Sequence, residues 1–309
     1  MPTVRVDKTT FSALTLAQAA ITYARKALPY GSANQCADLL RQRNGDPSGA
    51  QALARLDFNR TAVDTMLALP HGALPASFGA NPAAGFQTYA SALSAGVSMY
   101  YGAGNCGEHA YLTFHFLTTF GFPGLRITCV SSTAIDHAYT VISWQGCTDW
   151  IVCDAWPSKP QACRWSEFFA NTTRSQNNPA FKAMTTHEIT SQNMGTDLIG
   201  EAFQLISPSF VRQLPLASRA TGYTRQAIAD YLRSRPKGVY DHTSVLTTAC
   251  QPYMDYQYLN DRGTTELLSQ TALPGEQWTA RLAKVILEVN NQLHVLNPAQ
   301  RYTAAQQVA

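Results

Sequence analysis

"DHAYTVISWQGCTDWIVCDAWP", Asp136 to Pro157, contains two runs rich in β-branched and aromatic residues, with Gln145-Gly146 between them. Such runs favour strands, and glycine at the junction favours a hairpin turn. With Gln145-Gly146 as a two-residue loop, Trp144 faces Cys147, Val141 faces Trp150, Tyr139 faces Val152 and His137 faces Asp154. Directly opposed side chains share a sheet face, with Cβ atoms about 4.5–5.5 Å apart. At that range a carboxylate accepts a hydrogen bond from an imidazole. A four-residue loop makes the pair diagonal on the same face. An odd loop without a bulge separates the two groups.

A base oriented by an acid is half of a nucleophilic site, and the other half lies upstream. In "GAGNCGEHAYLTFHFL", Gly102 to Leu117, small and turn-prone residues lead into Cys106 and an amphipathic, aromatic-rich run. The pattern places Cys106 at a helix start. Unpartnered N–H groups and positive partial charge there favour a thiolate, and an oxyanion beside it. Cys106 thus reads as nucleophile, His137 as general base and Asp154 as the group that orients the imidazole. The backbone N–H of Cys106 is one oxyanion donor, and Asn105 and Gln87 are candidates for a second. Trp156 is a candidate wall of the acyl site. His109 lies on the same helical turn as Cys106 and is the rival base, without an evident acid partner. Glu108 suits the helix macrodipole or a core hydrogen bond, and His115 falls in an apolar run as a structural residue.

The flanks read differently. Leu14, Ala17, Ile21, Ala24 and Leu28 recur at helical spacing until Pro29 and Gly31. A short helix is expected over Val63 to Leu69 and a further helix from Thr88 to Tyr101, with a loop from His71 to Phe86. After "GFPG" at Gly121 come three strand-like pieces, "RITCVSS", "HAYTVISW" and "TDWIVCDAW". Asn171 to Asp197 is polar and weakly periodic, a long surface connection. Helical spacing returns at Ile228, Tyr231 and Leu232, and again from Trp278 to Leu293. The expected organisation is a helical N-terminal region over 1–95, a catalytic core over 96–185, and a mainly helical C-terminal region over 186–309.

Composition narrows the class. Of 309 residues, 45% are hydrophobic and only 14% charged, and the net charge is +3. The chain is able to bury a large core, and it lacks the Lys/Arg runs of a nucleic-acid binder. Seven cysteines, irregularly spaced and without a CxxC pair, argue against a disulfide framework and a structural zinc site. No stretch approaches the ~20 apolar residues of a membrane span, and the N-terminus lacks the marks of a cleaved signal peptide. Neither a metal nor a cofactor is expected.

Cys-Gly-Glu at a helix start, Asp-His-Ala-Tyr on a strand and Val-Cys-Asp-Ala-Trp on the next resemble the transglutaminase-like core of the papain-like superfamily. That core carries a Cys–His–Asp triad in this chain order. The similarity covers roughly Gly102 to Pro157 and is strongest to the peptide:N-glycanase cores. Arylamine N-acetyltransferases share Cys-x-Glu and the triad order. A compact core flanked by unrelated helical segments also resembles secreted bacterial effectors and toxins of this superfamily, which modify host proteins. The resemblance implies an α+β papain-like fold, its Cys-bearing helix packed on a short antiparallel sheet. It implies acyl transfer onto protein glutamine, as deamidase or transglutaminase, with a protein partner from a host. Delivery would then be signal-peptide-independent, into a reducing cytoplasm. The alternatives are a cysteine protease of the same fold, or a non-catalytic binding protein that retains the core.

Overall fold

The first turn of helix begins where a carboxylate can cap it. In the computed structural model, which describes residues 2–35, 38, 50–69, 71–132, 136–170, 181–205 and 251–271, a short strand β1 (Thr3–Arg5) leads to Asp7. Asp7 Oδ1 accepts the Thr10 N–H at 2.9 Å and starts α1 (Lys8–Ala27). Leu14, Ala17, Ile21, Ala24 and Leu28 are buried, as their spacing predicts. Arg25 and Lys26 complement the dipole in the last turn.

Helix α2 (Ala50–Leu67) is far longer than the Val63–Leu69 segment expected. Helix α3 (Pro82–Tyr101) begins inside the stretch read as a loop. The start signal is local: Asn81 Oδ1 accepts the N–H groups of Ala83 and Ala84, and Pro82 occupies the first helical position. Gly102 ends α3 in the left-handed region at φ 71°, where a side chain is disfavoured. Four residues after Gly102, α4 (Cys106–Phe120) starts at the cysteine itself.

The main sheet is antiparallel throughout: β2 (Leu125–Ser132), β3 (His137–Trp144), β4 (Ile151–Cys153), β5 (Cys163–Arg164) and β6 (Phe181–Glu188), in spatial order β5-β4-β3-β2-β6. Strand β6 corrects the sequence expectation, which read Asn171 to Asp197 as a surface connection. It pairs along the length of β2 with one register shift between Cys129 and Val130. Among the described strands it lies at the edge of the sheet, and its polar composition suits that place.

The hairpin register also differs from the first expectation. Val141 pairs with Val152 and Thr140 with Cys153. Continuing that register places Tyr139, not His137, opposite Asp154, with a four-residue loop from Gln145 to Thr148. Two extra loop residues preserve side-chain parity, so His137 and Asp154 stay on one face as a diagonal pair.

Helices α1 and α4 cover one face of this sheet. Thr113 Oγ1 on α4 lies 2.9 Å from Thr140 Oγ1, and Thr140 Oγ1 donates to the Ala110 carbonyl at 2.9 Å. Cys153 Sγ donates to the Ala17 carbonyl of α1. Tyr139 packs on Phe168 and Trp165.

The region expected as mainly helical contributes, among its described residues, a short helix α5 (Leu198–Gln204) and two strands, β7 (Asp255–Leu259) and β8 (Thr265–Leu267). A tight turn with Gly263 at φ 74° joins the strands, and β1 pairs in parallel with β7 to make a second sheet, β1-β7-β8. The runs at Ile228–Leu232 and Trp278–Leu293 lie outside the described residues. The architecture is mixed helix and sheet with antiparallel pairing dominant, which is α+β. No helix among the described residues is long and apolar enough to cross a membrane.

Candidate active site

Cys106, half-buried, is the first residue of α4. The turn is set by Glu108, whose carboxylate accepts the Asn105 N–H at 2.8 Å and pairs with Arg60 at 3.0 Å. Burial works against the Glu108 charge. Arg60 and the Asn105 N–H outweigh it and hold the carboxyl below its usual range. Gly104 is needed for close approach, because a Cβ there would lie 2.4 Å from that of Glu108.

His137 and Asp154 are each 4% exposed. His137 Nε2 donates to Asp154 Oδ2 at 2.7 Å, and Asp154 Oδ1 accepts the Trp156 N–H at 3.1 Å, so both carboxylate oxygens are occupied. The remaining ring nitrogen, Nδ1, is buried and makes no conventional hydrogen bond. It is the nitrogen left for the Cys106 thiol, which interacts with the ring. Burial opposes charging of His137. The Asp154 carboxylate, by charge and hydrogen bond, and then Cys106 overcome it and push the ring pKa up to about 10.

Trp156, 6% exposed, lies against His137 with ring centroids 4.7 Å apart. It covers the imidazole, and its indole N–H points inward to Ser32 Oγ and Asn34 Oδ1. Asn105 is buried beside Cys106, and its Oδ1 accepts from Ser32 Oγ and the Ala33 N–H. Gln87 does not join the site. It is exposed on α3, fourteen residues before Tyr101, about 20 Å of helix at ~1.5 Å per residue from the end that leads to Cys106. The Thr88–Tyr101 span of that helix, which the sequence reading already expected, removes it as an oxyanion donor.

His109 is 1% exposed, and its Nδ1 donates to the Asn105 carbonyl at 2.9 Å. Burial, followed by the Arg25 charge, pushes its pKa down to about 4. His115 is pushed down to about 3 by burial and His187, and its Nε2 lies 2.9 Å from Ser91 Oγ. Both are neutral structural residues.

The contribution of Ser32 and Asn34 was not legible in the sequence. "PYGSANQ" reads as the turn that ends α1, and no residue type in it announces a partner near positions 105 or 156.

Cys129, Cys153 and Cys163 are buried free thiols whose pKa values burial raises, and the half-exposed Cys147 is raised in the same direction. Cys36 and Cys250 lie outside the described residues. Among the described residues no three His, Cys, Asp or Glu side chains are grouped to hold a metal ion.

These shifts link protonation to stability. His109 and His115 fall below their ordinary 6.5, so each contributes stability above that pH and loses it as pH drops toward about 4 and about 3. His137 rises above 6.5, so its contribution is full below 6.5 and is lost as pH rises through about 10. The thermal midpoint should therefore be highest near neutral pH and decline on both sides. His115→Gln should flatten the acid limb, and an acid limb identical to wild type would contradict the assignment.

No family model, curated protein or solved structure matches the chain.

Proposed function

We propose that the protein is a cysteine-dependent acyl-transfer enzyme on a papain-like, transglutaminase-like core, with Cys106 as nucleophile, His137 as base and acid, and Asp154 as the orienting carboxylate. The observation that carries this reading is the 2.7 Å bond from His137 Nε2 to Asp154 Oδ2, which leaves Nδ1 for the thiol at the start of α4. Three polar side chains brought together from a helix, a strand and the residue just beyond another strand are costly to bury unless they serve chemistry or satisfy each other. Asp154 and His137 satisfy each other, and the half-buried Cys106 has no structural need of a charged imidazole.

In the proposed reaction, the Cys106 sulfur, as thiolate beside the His137 imidazolium, attacks the amide carbonyl carbon of a protein glutamine. The carbonyl electron pair moves to oxygen, and the oxyanion forms beside the N-terminal N–H groups of α4. Collapse breaks the C–N bond, and His137 Nδ1 gives its proton to the leaving ammonia. Neutral His137 then takes a proton from water or from an acceptor amine, whose attack on the thioester releases Cys106. Water yields glutamate, and an amine yields a substituted amide.

Resemblance favours a protein glutamine as substrate, and the secreted-effector reading makes the partner a host protein. The described cysteines, all unpaired, suit a reducing compartment.

The test is incubation of the purified protein with glutamine-containing proteins, with and without a primary amine, followed by peptide mass mapping. A gain of about one dalton at glutamine, or a larger amine adduct, that disappears with Cys106→Ala supports the reading. Cleaved peptide bonds would shift it to a protease, and unaltered substrates together with an unreactive Cys106 would overturn it.

A further inference from the structure

The nucleophile stands on α4, whereas the base and acid stand on β3 and just beyond β4. A third segment, residues 30–34, bonds to both sides. Toward α4, the Tyr30 N–H donates to the Gly102 carbonyl at 2.9 Å, and the Gly104 N–H to the Gly31 carbonyl at 3.1 Å. The Ala33 N–H donates to Asn105 Oδ1 at 3.1 Å, on the residue just before Cys106. Toward the strands, Trp156 Nε1 donates to Ser32 Oγ at 3.1 Å and to Asn34 Oδ1 at 3.0 Å. Trp156 itself holds Asp154 through its backbone N–H and packs on His137. Beneath the segment, Asp38 Oδ2 accepts the Ser32 N–H at 3.0 Å. Asp38 also pairs with Arg25, whose Nη1 lies 3.5 Å from the Ala155 carbonyl.

Proton counting singles out Ser32, which is fully buried. Asn105 Oδ1 is fixed as an acceptor by the Ala33 N–H, and Asn34 Oδ1 by the Trp156 indole. The Ser32 hydroxyl lies 2.9 Å from the first and 2.5 Å from the second. One hydroxyl has one proton, so it serves one of these oxygens at a time. The hydroxyl therefore stands where the link to the cysteine helix meets the link to the histidine–aspartate strands.

We infer that residues 32–34 form a positioning strap that sets the Cys106 sulfur against the His137 ring, with the Ser32 hydroxyl as its node. The inference rests on the acyl-transfer reading above. Ser32 touches no reacting atom and acts through Asn105 and Trp156.

The experiment is the rate of Cys106 carboxamidomethylation by iodoacetamide between about pH 5 and pH 8, read by peptide mass mapping, with the thermal midpoint of each variant. Ser32→Ala and Trp156→Phe should each slow the reaction at about pH 6 by roughly 3- to 10-fold, the worth of one net hydrogen bond, and displace the profile to higher pH. The double variant should be slowed by less than the product of the two single effects, because the Trp156–Ser32 link is lost in both. Asn34→Ala should slow the reaction, and Asn34→Asp, which keeps an acceptor oxygen, should restore most of it. A merely structural role would lower the thermal midpoint and leave the native profile in place, which would overturn the strap. Additive losses in the double variant would overturn Ser32 as its node. If His137→Ala slows the reaction while Ser32→Ala and Trp156→Phe do not, the strap alone is wrong. If His137→Ala also leaves Cys106 unaffected, the acyl-transfer reading fails and the strap with it.

Discussion

Cys106→Ala is expected to abolish turnover, by a factor on the order of 10⁶, while the protein remains folded. Alanine fits a half-buried first helical position, and the bonds that fix that turn belong to its neighbours: Glu108 to the Asn105 N–H, and Asn105 Oδ1 to Ser32 and Ala33. His137→Ala should fall to a similar level, because nucleophile and base act as one unit. The contrast that makes the prediction specific is His109→Ala. His109 is on the same helix and close to Cys106, but its Nδ1 is engaged with the Asn105 carbonyl and burial keeps it neutral. Its loss should lower the thermal midpoint and leave a measurable turnover number. Turnover by mass mapping alongside circular dichroism separates these outcomes. An inactive His109→Ala beside an active His137→Ala would show that the base had been misassigned.

Asp154→Asn is expected to lower turnover by about 10⁴-fold, the usual consequence of the wrong imidazole tautomer. The cause can be traced atom by atom. Asp154 Oδ1 accepts the Trp156 N–H, so an asparagine in its place keeps its oxygen there and turns its amide toward His137. His137 Nε2 must then present a lone pair, and the ring proton moves to Nδ1, toward the sulfur. A ring protonated there cannot take the thiol proton. The loss of the carboxylate also removes the chief cause of the raised His137 pKa, so the acid limb of Cys106 alkylation should move to higher pH. Substrate turnover and the alkylation profile test the two consequences separately. Turnover within about tenfold of wild type, with an unmoved profile, would mean that Asp154 does not orient the ring.

The site was more legible than its surroundings, for a reason that lies in the period of a strand. Any even hairpin loop puts His137 and Asp154 on one face, so the pairing followed from the spacing although the loop has four residues rather than two. The helix start at Cys106 was readable because Gly102, Gly104 and Asn105 are local signals. Gln87 failed because its candidacy needed a tertiary distance that helix length alone overturned. Strand β6 was missed because its polar composition, which suits the edge of a sheet, reads as a surface connection. The β7–β8 hairpin was missed inside a region whose flanks read as helix. Ser32 and Asn34 carry ordinary turn residues, and their importance comes from partners 73 and 122 positions away in the chain. Composition has no access to such partners.

The parallel pairing of β1 with β7 has a consequence for how the molecule is made. Thr3 sits beside Asp255, so the second sheet cannot close until some 250 further residues have left the ribosome. The span from Cys106 to Asp154 emerges well before that, and its contacts between α4, β2, β3 and β4 are comparatively local, the kind that form early. During synthesis the leading end of α1 therefore waits, capped by Asp7 but unclasped, while the cysteine, histidine and aspartate are already free to meet. The order of emergence separates the meeting of these three side chains from the closure of the second sheet, which waits for β7.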